Sequence, residues 1–157
     1  MYGEGFTNDL HLLGPGNACR VMVLLGQGDV GSALKVASAL VPGGTAVPAF
    51  CSAVLGEAQV AAGDLAGARH TARMIARHGP EAPYPAATST WIDGLVARAE
   101  GDWALAVAAF GRAADGFAAL AMPYEAVTAQ LDWAEVVAAR VGSDKEPAKV
   151  VARVMSN

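Results

Sequence analysis

Residues 101–117, GDWALAVAAFGRAADGF, decide the fold. Trp103, Ala106, Phe110, Ala113 and Phe117 step by three and four, the spacing of one face of an α-helix. Gly101-Asp102 ahead of them reads as a helix boundary. A glycine takes the left-handed conformation that closes a preceding helix, and the acidic side chain after it accepts from the orphan N–H groups opening the next. The segment predicts a tight turn between two antiparallel helices, with Trp103 placed in the buried stripe of the second.

Laid against the rest of the chain, the dipeptide returns. Gly28-Asp29, Gly63-Asp64 and Gly101-Asp102 are 35 and 38 residues apart, and Gly142, followed by Ser143 and Asp144, adds a turn 41 residues after Gly101. Periods of this size mean stacked supersecondary units, each burying its apolar face on a neighbour. Leu65, Ala68, Ala72 and Ile75 give the second unit its stripe, and Val127, Leu131, Ala134, Ala138 and Val141 give one to the first helix of the last. Ser143 and Glu146 have capping-box spacing with Pro147 in the first turn, so a helix is expected from about Asp144 to Met155. Pro42-Gly43-Gly44, the stretch from Gly79 to Pro85, and Pro123 read as connectors. The expectation is an all-α fold of about four helical hairpins, near residues 17–41, 47–78, 86–120 and 123–155, within a repeat domain 17–157 behind an irregular or partly helical lead-in 1–16.

Composition agrees and narrows the function. The 157-residue chain is 54% hydrophobic but only 6% aromatic, and about a fifth of it is alanine, the strongest helix former. A net charge of −4 leaves no basic excess for a phosphate backbone, so direct nucleic-acid binding is not expected. Apolar runs such as Val21 to Leu25 and Ala104 to Phe110 fall far short of the roughly 18 residues of a membrane span. Met1 is followed by Glu4 and Asp9, not by a basic and then apolar start, which points to the cytoplasm. Cys19 and Cys51 have no partners at metal-ligand spacing and are expected as buried free thiols.

The turns and stripes resemble a tetratricopeptide repeat. Leu55-Gly56 stands seven residues before Gly63, and Gly94 seven before Gly101, with Trp103, Ala106 and Phe110 following at the family's Ala-x-x-x-Phe spacing. Trp91 is one residue off the family's large apolar slot, Ala72 replaces its aromatic in the second unit, and Val21 and Glu135 stand where it has a small residue. The Ala-rich, uneven units, such as AAGDLAGAR (61–69) and YEAVTAQLDWAEVVAARVG (124–142), are similar to the helical sensor region of MalT-like and LuxR-type bacterial transcriptional regulators. The resemblance implies a right-handed superhelix that recognises a protein, a peptide or a small inducer during signal transduction. It also implies that the first helix of each hairpin lines a concave groove. Stepping along those helices places Glu57, Trp91, Leu95, Arg98, Asp132, Val136 and Arg140 there. The family members that clamp C-terminal carboxylates use several Lys, Arg and Asn residues on that face, whereas the first-unit floor here is Ala18, Met22 and Leu25. Apolar first and last helices add the expectation that the chain is a piece of a larger regulator or associates with itself.

One segment competes with this reading. Gly26-Gln27-Gly28-Asp29-Val30-Gly31 is a literal G-x-G-x-x-G behind Val21-Met22-Val23-Leu24-Leu25, which as a strand would make a dinucleotide-cofactor enzyme the alternative. That fingerprint needs a second strand with a ribose-binding acid about 20 residues on, and Thr45 to Cys51 has no carboxylate and contains Pro48. His70 and His78 are two helical turns apart, about 12 Å, too far to share a metal ion. His11 is isolated, and neither a Gly-x-Ser-x-Gly elbow nor a His-Glu-x-x-His helix is present. No catalytic, metal or cofactor residue is therefore assigned, and a non-enzymatic interaction module is expected.

Overall fold

The computed structural model describes residues 9–41, 49–77 and 82–142. Among them the regular structure is all α-helix: α1 (Asp9–Gly26), α2 (Val30–Leu40), α3 (Ala49–Ala61), α4 (Leu65–Ala76), α5 (Pro83–Glu100), α6 (Trp103–Ala119) and α7 (Pro123–Gly142). The helix expected from Asp144 to Met155 and the Pro42-Gly43-Gly44 connector lie outside the described residues. α1 starts within the stretch 1–16 and carries Pro15 inside it, at the cost of one backbone bond.

The chain divides into two compact units, Met1–Thr71 and Ala72–Asn157. In the first, α1 packs on α2 and both pack on α3. Val21, Ala33, Ala37, Cys51 and Ala58 are at most 1% exposed there, so the core is built largely of small side chains. In the second, α5 and α7 each pack on α6. Ala106, Ala109, Phe110, Ala113 and Phe117 line the inner face of α6, all at most 3% exposed.

Three turns have one geometry. Gly28, Gly63 and Gly101 have φ of 78°, 78° and 79°, the left-handed region where a side chain is strained. In each, the glycine N–H donates three residues back and the aspartate N–H five residues back, to Leu25 and Leu24, Val60 and Gln59, and Arg98 and Ala97. This is the Schellman closure of a helix. The aspartate then caps the next helix: Asp29, Asp64 and Asp102 each accept through Oδ1 from the backbone N–H three residues on, at 3.1, 2.9 and 3.1 Å. The Ser32 hydrogen bonds hold the Asp29 carboxyl below its ordinary value.

The α6–α7 turn has the same backbone without the sequence mark. Ala121 stands at φ 54°, its N–H donates to Ala118, and the Met122 N–H donates to Phe117. Alanine occupies the left-handed position at a cost of about 1–2 kcal/mol. Met122 packs against the cluster containing Phe117, the apolar contact that accompanies such a closure. Pro123, read as a connector, is the first residue of α7, where a missing N–H costs little.

Three burial expectations are corrected. Trp103 is 40% exposed: it is the first residue of α6, ahead of the first buried position, Ala106. On α7 the buried side is Ala126, Ala129 and Val136, whereas Val127 is 52% and Leu131 62% exposed. That helix is apolar on two faces, and spacing alone does not say which turns inward. The small face does, with half-buried Trp133 lying over Gly111 of α6. Cys51 is buried as expected, but Cys19 is an exposed thiol on α1.

Candidate functional site

The residues brought together lie in the second unit, on α5 and α7. α5 starts on Pro83, whose ring presets the helical φ, and ends at Gly101. Along it Ile92, Leu95 and Val96 are at most 3% exposed, and this anchors the helix on its core side. Trp91 and Arg98, on the flank of that apolar side, are half-buried.

From α7, Asp132 meets both. The Trp91 indole Nε1 donates to its Oδ2 at 2.8 Å, and the Arg98 guanidinium donates to its Oδ1 at 2.7 Å. Arg98 also donates to Glu135, one turn along α7, at 3.2 Å. Its guanidinium carbon sits 5.5 Å from the ring centre of Phe110, a cation–π distance. Phe110 is fully buried on α6 and also lies against Gly94, one turn before Arg98 on α5, where an added Cβ would fall 2.7 Å from the ring. The cluster thus joins α5 to α7 through side chains seated over α6.

Its electrostatics follow from exposure. The Asp132 side chain is 15% exposed, so both of its oxygens depend on protein donors. The Arg98 side chain is 32% exposed and that of Glu135 73%, leaving a guanidinium edge and a carboxylate open to solvent beside an indole. Two acids against one guanidinium make the patch mildly acidic. Such a surface offers hydrogen-bond donors, an acceptor and an aromatic edge, the residue types that anchor protein interfaces. Nucleophile and general base are not paired in it.

The other residues assigned from sequence are placed differently. Leu95 and Val136 are 3% and 1% exposed, core side chains under the cluster and not part of its surface. Arg140 is exposed near the end of α7, and Glu57 is half-buried on α3, in the first unit. Glu135 was passed over as a substitute for a small residue. Its position three residues after Asp132, with Arg98 opposite in charge, was the available signal. Phe110 was read only as core, although it also carries the cation.

Val21 to Leu25, the strand that a dinucleotide fingerprint requires, lie inside α1. Gly28 closes that helix and Asp29 caps α2, so helical turn chemistry accounts for Gly28, while Gly26 and Gly31 lie within α1 and α2. His70 is exposed on α4, and the side chains of His11 and His78 lie outside the described residues. Among the described residues, no group of three or more His, Cys, Asp or Glu side chains is placed to hold a metal ion, and no helix is long and apolar enough to cross a membrane. No protein-family model, no curated protein and no solved structure matches the chain.

Proposed function

We propose that the chain is a non-enzymatic interaction module that binds a protein or peptide on the α5–α7 face around Trp91, Arg98 and Asp132. The observation that carries this reading is the half-exposed cluster itself. It gathers an indole, a guanidinium and two carboxylates in one place, with Asp132 fixing the first two. An ordered aromatic and an ordered arginine are pre-set for recognition, because little side-chain entropy is left to lose on binding.

In the finer form of the proposal, the hairpins stack as a right-handed, tetratricopeptide-like superhelix of four units. The chain then acts in the cytoplasm as a sensor or scaffold segment of a bacterial transcriptional regulator, without touching nucleic acid itself. The Gly-Asp turns at similar intervals and the resemblance in units two and three support this form, and the net charge of −4 fits the absence of a nucleic-acid role.

The test is peptide selection on the intact chain, followed by titration of the selected peptides against the native protein, Trp91→Ala and Arg98→Ala. Melting curves confirm that each variant is folded. The proposal expects each substitution to weaken binding by about tenfold or more, the effect of losing an anchor of at least ~1.4 kcal/mol. Selected peptides that bind both variants as well as the native chain would remove the assignment.

A further inference from the structure

α4 presents a charged row that the Arg98 cluster does not use. Ala68, Ala72 and Ile75 are at most 3% exposed and seat the helix, while His70, Arg73, Met74 and Arg77 are exposed on its other side. Arg77 follows the last residue of α4, but its N–H still donates to the Arg73 carbonyl at 3.2 Å, so it completes the final turn. Arg69, exposed one turn before Arg73, extends the line. At about 6 Å of rise per four residues, the three arginines span about 12 Å along one side of the helix.

The row lacks counter-charge. Residues 65–80 hold three arginines, two histidines and no acid, in a chain with 11 Lys and Arg against 15 Asp and Glu. Asp64, the acid just ahead of the run, is turned to the Gly67 N–H as the helix cap. Among the described residues, no carboxylate pairs with Arg73 or Arg77. The Arg77 guanidinium donates instead to the Met74 Sδ at 3.3 Å, on a side chain that is itself 39% exposed. A cation in the last turn favours the negative end of its own helix, which accounts for Arg73 and Arg77 singly. It does not account for Arg69, about two turns from that end, or for a helix with no acid along it.

We propose that this row is a docking surface for an acidic helix of a partner protein, whose carboxylates at four-residue intervals meet Arg73 and Arg77 while Met74 packs beside them. Charge complementarity and interval carry the assignment. A helix with an acid at every fourth position repeats the same rise of about 6 Å, and a guanidinium takes a carboxylate through two parallel hydrogen bonds. A nucleic-acid backbone fits less well, because the net charge of −4 on the whole chain opposes it. The surface is separate from the α5–α7 face and does not rest on binding there.

Fluorescence anisotropy on the intact chain at low salt tests it. The probes are a labelled alanine-based helical peptide with Glu at every fourth position, its Gln counterpart, and a single-stranded oligonucleotide. The variants are Arg73→Gln with Arg77→Gln, and Arg20→Gln with Arg112→Gln, exposed residues of α1 and α6 that remove the same net charge elsewhere. The Glu peptide should bind saturably, weaken about tenfold or more in the α4 variant, and change by less than about twofold in the other and in Trp91→Ala. The Gln counterpart should not bind. Absence of saturable binding, equal loss in both double variants, or equal binding of the Gln counterpart would overturn the proposal. So would tighter binding of the oligonucleotide, which would assign the row to phosphates, or a dimer by light scattering that the α4 variant abolishes, which would assign it to a second copy. Titrations of Trp91→Ala and Arg98→Ala with selected peptides report separately on the α5–α7 face.

Discussion

Arg98 of α5 and Asp132 of α7 meet at 2.7 Å, with the guanidinium resting over the ring of Phe110. Exposed ion pairs contribute little, but this carboxylate is mostly buried and takes a second bond from Trp91. Removing its charge should therefore be felt. Asp132→Ala is expected to destabilise the second unit by about 0.5–1.5 kcal/mol, the net loss of hydrogen bonds from two half-buried donors that solvent reaches in part. Combined with Arg98→Met it should cost less than the two single changes added together, by about 0.5–1.5 kcal/mol. Urea unfolding of the four proteins in that cycle measures the coupling, and strict additivity would show that the pair is incidental.

Gly94 is set by contact and not by backbone conformation. A Cβ there would meet the fully buried Phe110 ring at 2.7 Å, and the ring has no flexible end to move aside. Gly94→Ala should cost about 1–3 kcal/mol despite the better helix propensity of alanine. Since the same ring lies under Arg98, the substitution should also shift the Trp91 fluorescence spectrum. Unchanged stability would mean that α5 and α6 separate at little cost.

Ala121 offers the opposite change. Its φ of 54° suits glycine, and the Schellman bonds to Ala118 and Phe117 would remain. Ala121→Gly should raise stability by about 0.5–1 kcal/mol, because relief of left-handed strain exceeds the added freedom of the unfolded chain. The reverse change at the equivalent Gly101, Gly101→Ala, should lower it by about 1 kcal/mol. Thermal melts of the two variants should move in opposite directions, and parallel shifts would refute the shared turn geometry.

The two thiols should separate by reactivity. Cys19 is exposed, whereas Cys51 is 1% exposed and burial pushes its thiol above the ordinary value, which disfavours the reactive thiolate. A thiol reagent at pH 8 should label Cys19 quickly and Cys51 only after denaturation. Fast labelling of both in the native chain would show that α3 does not seat Cys51 in the first unit's core.

How much of this was legible depended on whether one residue type could do the job. The left-handed turns at Gly28, Gly63 and Gly101 were readable because glycine is favoured there, and an aspartate next to it caps the following helix. The turn at Ala121 uses the same bonds with a residue that carries no such mark, so Pro123 marks the connector there but nothing marks its left-handed closure. The α6 stripe was correct from Ala106 to Phe117, yet period alone extended it to Trp103, which lies beyond the packing partner. On α7 two apolar faces compete, and the choice of the smaller as inner depends on how closely α6 approaches, a tertiary fact. Stepping along α5 and α7 found Trp91, Arg98 and Asp132 but also selected Leu95 and Val136, which are buried beneath them. Helical spacing resolves a face to within about one residue in four, too coarse to divide a rim from a floor.

The most direct test of binding at the α5–α7 face is a two-dimensional NMR spectrum of the three indole N–H groups during titration with a peptide selected on the native chain. The Trp91 signal reports on the Asp132 bond, while Trp103 at the start of α6 and Trp133 over Gly111 serve as internal references. The expected result is a saturable shift of Trp91 with Trp103 and Trp133 nearly stationary. A saturating peptide that moves Trp103 or Trp133 and leaves Trp91 in place would contradict the proposed site.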